Sequence, residues 1–173
     1  MAASRFAPCF CIFKIEDDMK RFALCVLAGL LLPVTAASAQ KLVDATDPEA
    51  IINLMRGFGS AVLEEDDAGD PMIVARIDGT RFLVLFYGCQ DGADCKSIQF
   101  RAAWETSGNV SLGKIGSWNA DKRFGKAYLD DVKDPVVEMD VNLFGGVSTR
   151  NLEDTIDWWQ LVLADFKLNV LEE

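Results

Sequence analysis

The sequence has no histidine, and that absence excludes more chemistry than any other feature. Ser-His-Asp and Cys-His nucleophile arrangements are impossible, and so are histidine metal centres. A general base near neutral pH would have to be a perturbed carboxylate, lysine or cysteine. Cationic residues are also scarce: 17 Lys and Arg stand against 27 Asp and Glu, a formal net charge of −10. Nucleic acid binding needs a basic stripe to displace phosphate counterions, and none is visible. No Gly-rich phosphate loop of adequate spacing is present, and no motif asks for a cofactor. Internal repeats, low-complexity segments and Pro/Ser/Gly linkers are missing too, so the chain offers no place to divide it.

The one long apolar run lies near the N-terminus. Residues 19–40, MKRFALCVLAGLLLPVTAASAQ, have the three parts of a secretory signal: basic Lys20-Arg21, apolar Phe22 to Val34, and Ala37-Ser38-Ala39 as a small-x-small cleavage site. The run is shorter than the roughly 20 residues a bilayer span needs. Cleavage after Ala39 is therefore expected, with a periplasmic or secreted product and no stable membrane span. Cys25 sits too early in the run for a lipoprotein cysteine. Residues 1–18 place Glu16, Asp17 and Asp18 where a signal wants positive charge, so translation is expected to begin at Met19. The mature chain, 40–173, has the size of one domain.

Only Cys89 and Cys95 remain after cleavage. Three roles are open to them. A zinc site would need two more ligands, with only Asp91 and Asp94 nearby. A redox pair is usually C-x-x-C at a helix start. The reading that best fits an exported chain is a disulfide across a hairpin loop, because strand-like runs flank the pair on both sides.

Patterning gives an α+β chain: a mostly antiparallel sheet of five to six strands with two to three packed helices. Asp47-Pro48-Glu49 starts a helix that stops near Gly57 or Gly59. Strands are predicted at Ala61–Asp66, Met72–Asp78, Arg81–Tyr87, Ser97–Trp104, Phe124–Leu129 and Val136–Leu143. The unbroken apolar run Phe82 to Phe86 suggests a central strand covered on both faces. A short helix is predicted over 110–120 and a long one from Thr149 to Leu168. In the long helix, Leu152, Ile156, Trp159, Leu163, Phe166 and Val170 form one seam, with Trp158 and Val162 beside it. Leu161 and Leu168 fall opposite, where a surface helix is normally polar. Either the helix has a wide core footprint, or the excess meets a partner or a second copy of the chain, giving a homodimer.

Trp118-Asn-Ala-Asp-Lys-Arg-Phe-Gly-Lys-Ala-Tyr-Leu-Asp130, then Val136-Val-Glu-Met-Asp-Val141, Gly146-Val-Ser148 and Trp158-Trp159, resemble the YbjN-domain family over most of residues 42–168. The family carries the label of a bacterial sensory transduction regulator. The resemblance implies a fold like that of type III secretion chaperones, a non-enzymatic binding module, and an unknown protein or peptide client. It carries over no catalytic residues.

Trp118, Asn119, Arg123 and Phe124 are the most distinctive cluster. As structural residues, Trp118 would pack where its helix ends, Asn119 would cap it, Phe124 would enter the sheet and Arg123 would brace Asp121. As functional residues they would rim a peptide groove, with Arg123 anchoring a carboxylate; Trp158 and Leu161 join them as candidate partner-binding positions. Two other classes stay open: a structural or envelope-stress protein without a discrete ligand, and a weak enzyme using paired carboxylates among Glu64, Glu65, Asp66, Asp67, Asp130, Asp131 and Asp134.

Overall fold

A computed structural model describes residues 42–172. The expected extension at 1–18, the export signal at 19–39 and its cleavage after Ala39 lie outside those residues. The described residues open with a two-residue strand, β1 (Leu42–Val43), and helix α1 (Pro48–Met55). Asp47 accepts a hydrogen bond from the Ala50 amide at 3.0 Å, with Pro48 at the first helical position. That arrangement satisfies one orphan amide and starts the helix where the sequence requires.

Four strands follow as a meander: β2 (Ser60–Glu65), β3 (Pro71–Ile77), β4 (Thr80–Tyr87) and β5 (Ser97–Ala103). Asp78 and Gly79 form the tightest link, both at positive φ. Such a two-residue turn matches the right-handed twist of the strands it joins. Helix α2 (Leu112–Asp121), capped by Ser111, leads to β6 (Lys126–Leu129) and β7 (Pro135–Asn142). The six long strands form one antiparallel sheet in the order β2-β3-β4-β5-β7-β6. A second two-residue strand, β8 (Val147–Ser148), pairs with β1 and delivers the chain into α3 (Thr149–Phe166). The helix ends in a wider π turn, Lys167–Leu171, which keeps Val170 in the core.

The predicted seam of α3 is buried at every position from Leu152 to Val170. Trp159 stacks on Phe100 at 5.5 Å between ring centroids and meets Phe82 edge-on at 5.7 Å. Two turns further, Phe166 stacks on Trp104 at 5.3 Å and takes the edge of Trp118 at 5.1 Å. These aromatic pairs join α3, the sheet and α2 in one core. Cys89 and Cys95 are disulfide-bonded. Inside their loop, Gln90 and Ala93 exchange backbone hydrogen bonds at 2.7 and 3.0 Å.

One face of β4 corrects its predicted coverage. Phe82, Val84 and Phe86 are buried, but Leu83 and Leu85 are only half-buried. Among the described residues the core lies on one side of the sheet, so the unbroken apolar run reports a central strand and not a two-sided one. On the other side, the row of paired residues runs Val62, Val74, Leu83, Arg101, Glu138, Lys126.

Alternation predicts Glu138 on the polar side of its strand, yet it is buried there at 7% exposure. Arg101 and Lys126 pair with it at 3.4 and 3.2 Å, and the Tyr128 hydroxyl donates to it at 2.6 Å. Three partners offset the desolvation of one carboxylate. Burial, then the hydrogen bond to Glu138, pushes the Tyr128 phenol above its ordinary pKa.

Candidate functional site

The polypeptide between α2 and β6 bends back over the last helix, and Gly125 permits it. Its φ is +84°, and an added Cβ would lie 3.1 Å from the Trp118 ring and 3.3 Å from Val162. Any other residue would be strained in conformation and crowded at once. This close approach builds a cleft of about 160 Å³ between α2, α3 and the connection. Its lining is largely apolar: Trp118 forms the floor, with Phe124, Trp158, Leu161 and Val162 around it. Trp158 and Leu161 are 42% and 59% exposed.

Asp165 holds the cleft's far wall. It accepts from the Trp118 indole nitrogen at 2.8 Å, from Lys122 at 3.1 Å and from the Asn169 amide at 3.0 Å. Lys122 also pairs with Asp121 at 3.1 Å. Hydrogen bonds donated to Asp121 first, then to Asp165, raise the Lys122 pKa above its ordinary value. Both acids thus belong to Lys122. The predicted Arg123–Asp121 brace is replaced by this arrangement, because the lysine reaches both helices and Arg123 points outward. Its guanidinium lies 4.9 Å from the Phe124 ring centroid, and that ring is 4.9 Å from Trp158. Among the described residues Arg123 has no carboxylate partner.

Five of the six predicted partner-binding residues therefore converge: Trp118, Arg123, Phe124, Trp158 and Leu161. Asn119 does not join them, nor does it cap its helix. Its side-chain amide donates to the Ala127 carbonyl at 2.9 Å and its oxygen accepts from the Ala127 amide at 2.8 Å. Since β6 is the last strand of the sheet, this side chain occupies positions that a neighbouring strand would fill. Asn119→Ala should lower unfolding free energy by about 1 kcal/mol. Asn119→Asp, which keeps an acceptor for the Ala127 amide and loses the donor, should also destabilise in urea titration.

Asp165, Lys122 and Val162 are the members the sequence reading misses. A clue to Asp165 is present, because it falls on the stripe Trp158, Leu161, Asp165, Leu168, an acid midway along an otherwise apolar run.

Of the seven acids considered for paired-carboxylate chemistry, Asp66, Asp130 and Asp134 are engaged with backbone amides. Asp66 accepts from the amides of Ala68 and Asp70, and Asp130 from those of Val132 and Asp134. Asp134 accepts from the Thr106 amide at 2.7 Å. Among the described residues no cluster of three potential metal ligands is found. The arrangement can hold an apolar side chain beside a negative charge.

Compared with known families, residues 47–172 match the model of the YbjN family, described as "Putative bacterial sensory transduction regulator". This is not a known enzyme family. No curated protein matches the chain.

Proposed function

The chain belongs to the YbjN family, and on that premise we propose that it is a non-enzymatic, exported regulator that works by holding a segment of another polypeptide. The cleft between α2 and α3 is the holding site. An apolar side chain of the client packs against Trp158 and Leu161, and an adjacent carboxylate meets Arg123. The observation that carries this reading is a guanidinium without a carboxylate partner among the described residues, lining an apolar cleft in a molecule whose net charge is −10. A long-range field of that sign repels acidic segments in general, so an isolated cation beside an apolar wall adds selectivity.

The same stripe of α3 bears on self-association through the last helix. Trp158, Leu161 and Leu168 are all exposed, so a helix-mediated dimer would compete with a client for one surface. With the expected export signal, that holding role would be exercised in the periplasm, where client segments arrive unfolded.

Selection from a random peptide library tests the site. Enriched peptides should pair an aromatic or aliphatic residue with Asp, Glu or a free C-terminus. Trp158→Ala and Arg123→Glu should each weaken the best of them by about tenfold, with unchanged melting temperature. Enrichment of basic peptides, or affinity indifferent to both substitutions, would overturn the assignment.

A further inference from the structure

We propose that the face of the sheet that no helix among the described residues covers is the interface between two copies of this chain, packed face to face. The face divides into two halves of different character. On β5, β7 and β6, Arg101 and Lys126 are both satisfied by Glu138, and Gln99 donates to Asp140 at 2.9 Å. That half is neutralised internally and asks for nothing further. The half on β2, β3 and β4 is different.

Its centre is the apolar row Val62, Val74, Leu83, with Met72 and Leu85 beside it. Val62 is 56% exposed. At one end of this strip Arg76 and Arg81 stand directly opposite each other across the ladder. Like charges in that relation destabilise a sheet, and neither has a carboxylate partner among the described residues. Arg76 satisfies one donor on the Gly79 carbonyl. At the other end of the strip, on the same face, stands Glu64, paired with Met72.

The order along the strands is therefore acid, apolar row, basic pair. A two-fold axis laid across the strands along the apolar row reverses that order in the second copy. Apolar row then meets apolar row, and Glu64 of each copy comes beside Arg76 of the other. This is the self-complementarity an isologous interface requires, and aligned sheets pack this way at about −30°. The apolar–acidic segment proposed for the α2–α3 cleft has no such reversed match on this face, and the cleft lies on the helical side, free in the dimer. The interface does not rest on the client-binding reading.

Sedimentation of the purified protein across a range of concentrations tests the interface. A reversible dimer is expected. Arg76→Glu and Glu64→Arg should each weaken it by about tenfold or more, and combining them should restore it. Rescue in the double variant excludes misfolding as the cause. Should a single reversal unfold the chain, Glu64→Gln, which only removes charge, should still weaken the dimer. A wild-type monomer at every concentration would overturn the proposal. So would a dimer indifferent to both reversals but lost in Leu161→Asp, which would place the contact on α3.

Discussion

Trp159→Ala should lower the unfolding free energy by about 3–5 kcal/mol, the range for removing a large aromatic side chain from a close-packed core. Domains of this size have about 5–15 kcal/mol in total, so the variant is expected to sit near the edge of folding. The cost is large because Trp159 is wholly buried and contacts rings from two different strands, Phe82 on β4 and Phe100 on β5. Its loss opens a space that neither a rigid sheet nor a rigid helix can close. Trp159→Phe makes an informative contrast. The indole nitrogen has no hydrogen-bond partner among the described residues, so phenylalanine discards that donor and keeps an aromatic ring. Its cost should stay below about 1.5 kcal/mol. Urea unfolding followed by circular dichroism reads both. Equal midpoints for the alanine variant and the wild type would mean that the core is centred elsewhere.

Replacing both cysteines of the stapled loop with serine should cost about 2 kcal/mol, the chain-entropy value for so short a ring. The loop has more to lose than most. Gly88, Asp91, Gly92 and Asp94 all hold positive φ, conformations that non-glycine residues leave readily. Gly92 also sits so close to the β2–β3 turn that a Cβ there would lie 2.7 Å from the Gly69 carbonyl. Releasing the ring therefore loosens two turns together. Wild-type protein treated with a strong reductant should match the double serine variant in its urea midpoint. Modification of both cysteines by a thiol reagent in the untreated, folded protein would refute the pairing. An oxidising compartment favours the bonded form, in keeping with the export proposed above.

The legible part of this chain was whatever repeats at a fixed period or marks a terminus. The seam of α3 is read directly from spacings of three and four, and Asp47-Pro48 declares a helix start. Alternation placed the strands to within a residue or two; of the five clustered cleft residues, Trp118, Arg123, Phe124 and Trp158 stood out as aromatic and basic types in an acidic chain, and Leu161 as an apolar residue opposite the core seam of its helix. The missed features depend on partners distant in sequence. β1 and β8 have two residues each, too few for any period, and exist only because they pair. Asn119 reads like a helix cap, and its true bonds became visible only once β6 was known to lie beside α2. Glu138 looks like a solvated residue of an alternating strand, but Arg101 comes from β5 and Lys126 and Tyr128 from β6. Leu83 and Leu85 erred in the opposite sense: apolarity reported the strand's central position and overstated its coverage.

The seal that Asn119 places on β6 has a consequence for how this sheet can grow. Strand-by-strand polymerisation needs two open flanks, one to receive a neighbour and one to offer itself to the next. Here the flank at Ala127 is plugged by an amide, leaving β2 as the open one among the described residues. Edgewise accretion can join two molecules back to back through β2 and then halts, each outer margin being already plugged. A single asparagine thereby acts as a chain terminator against fibre formation.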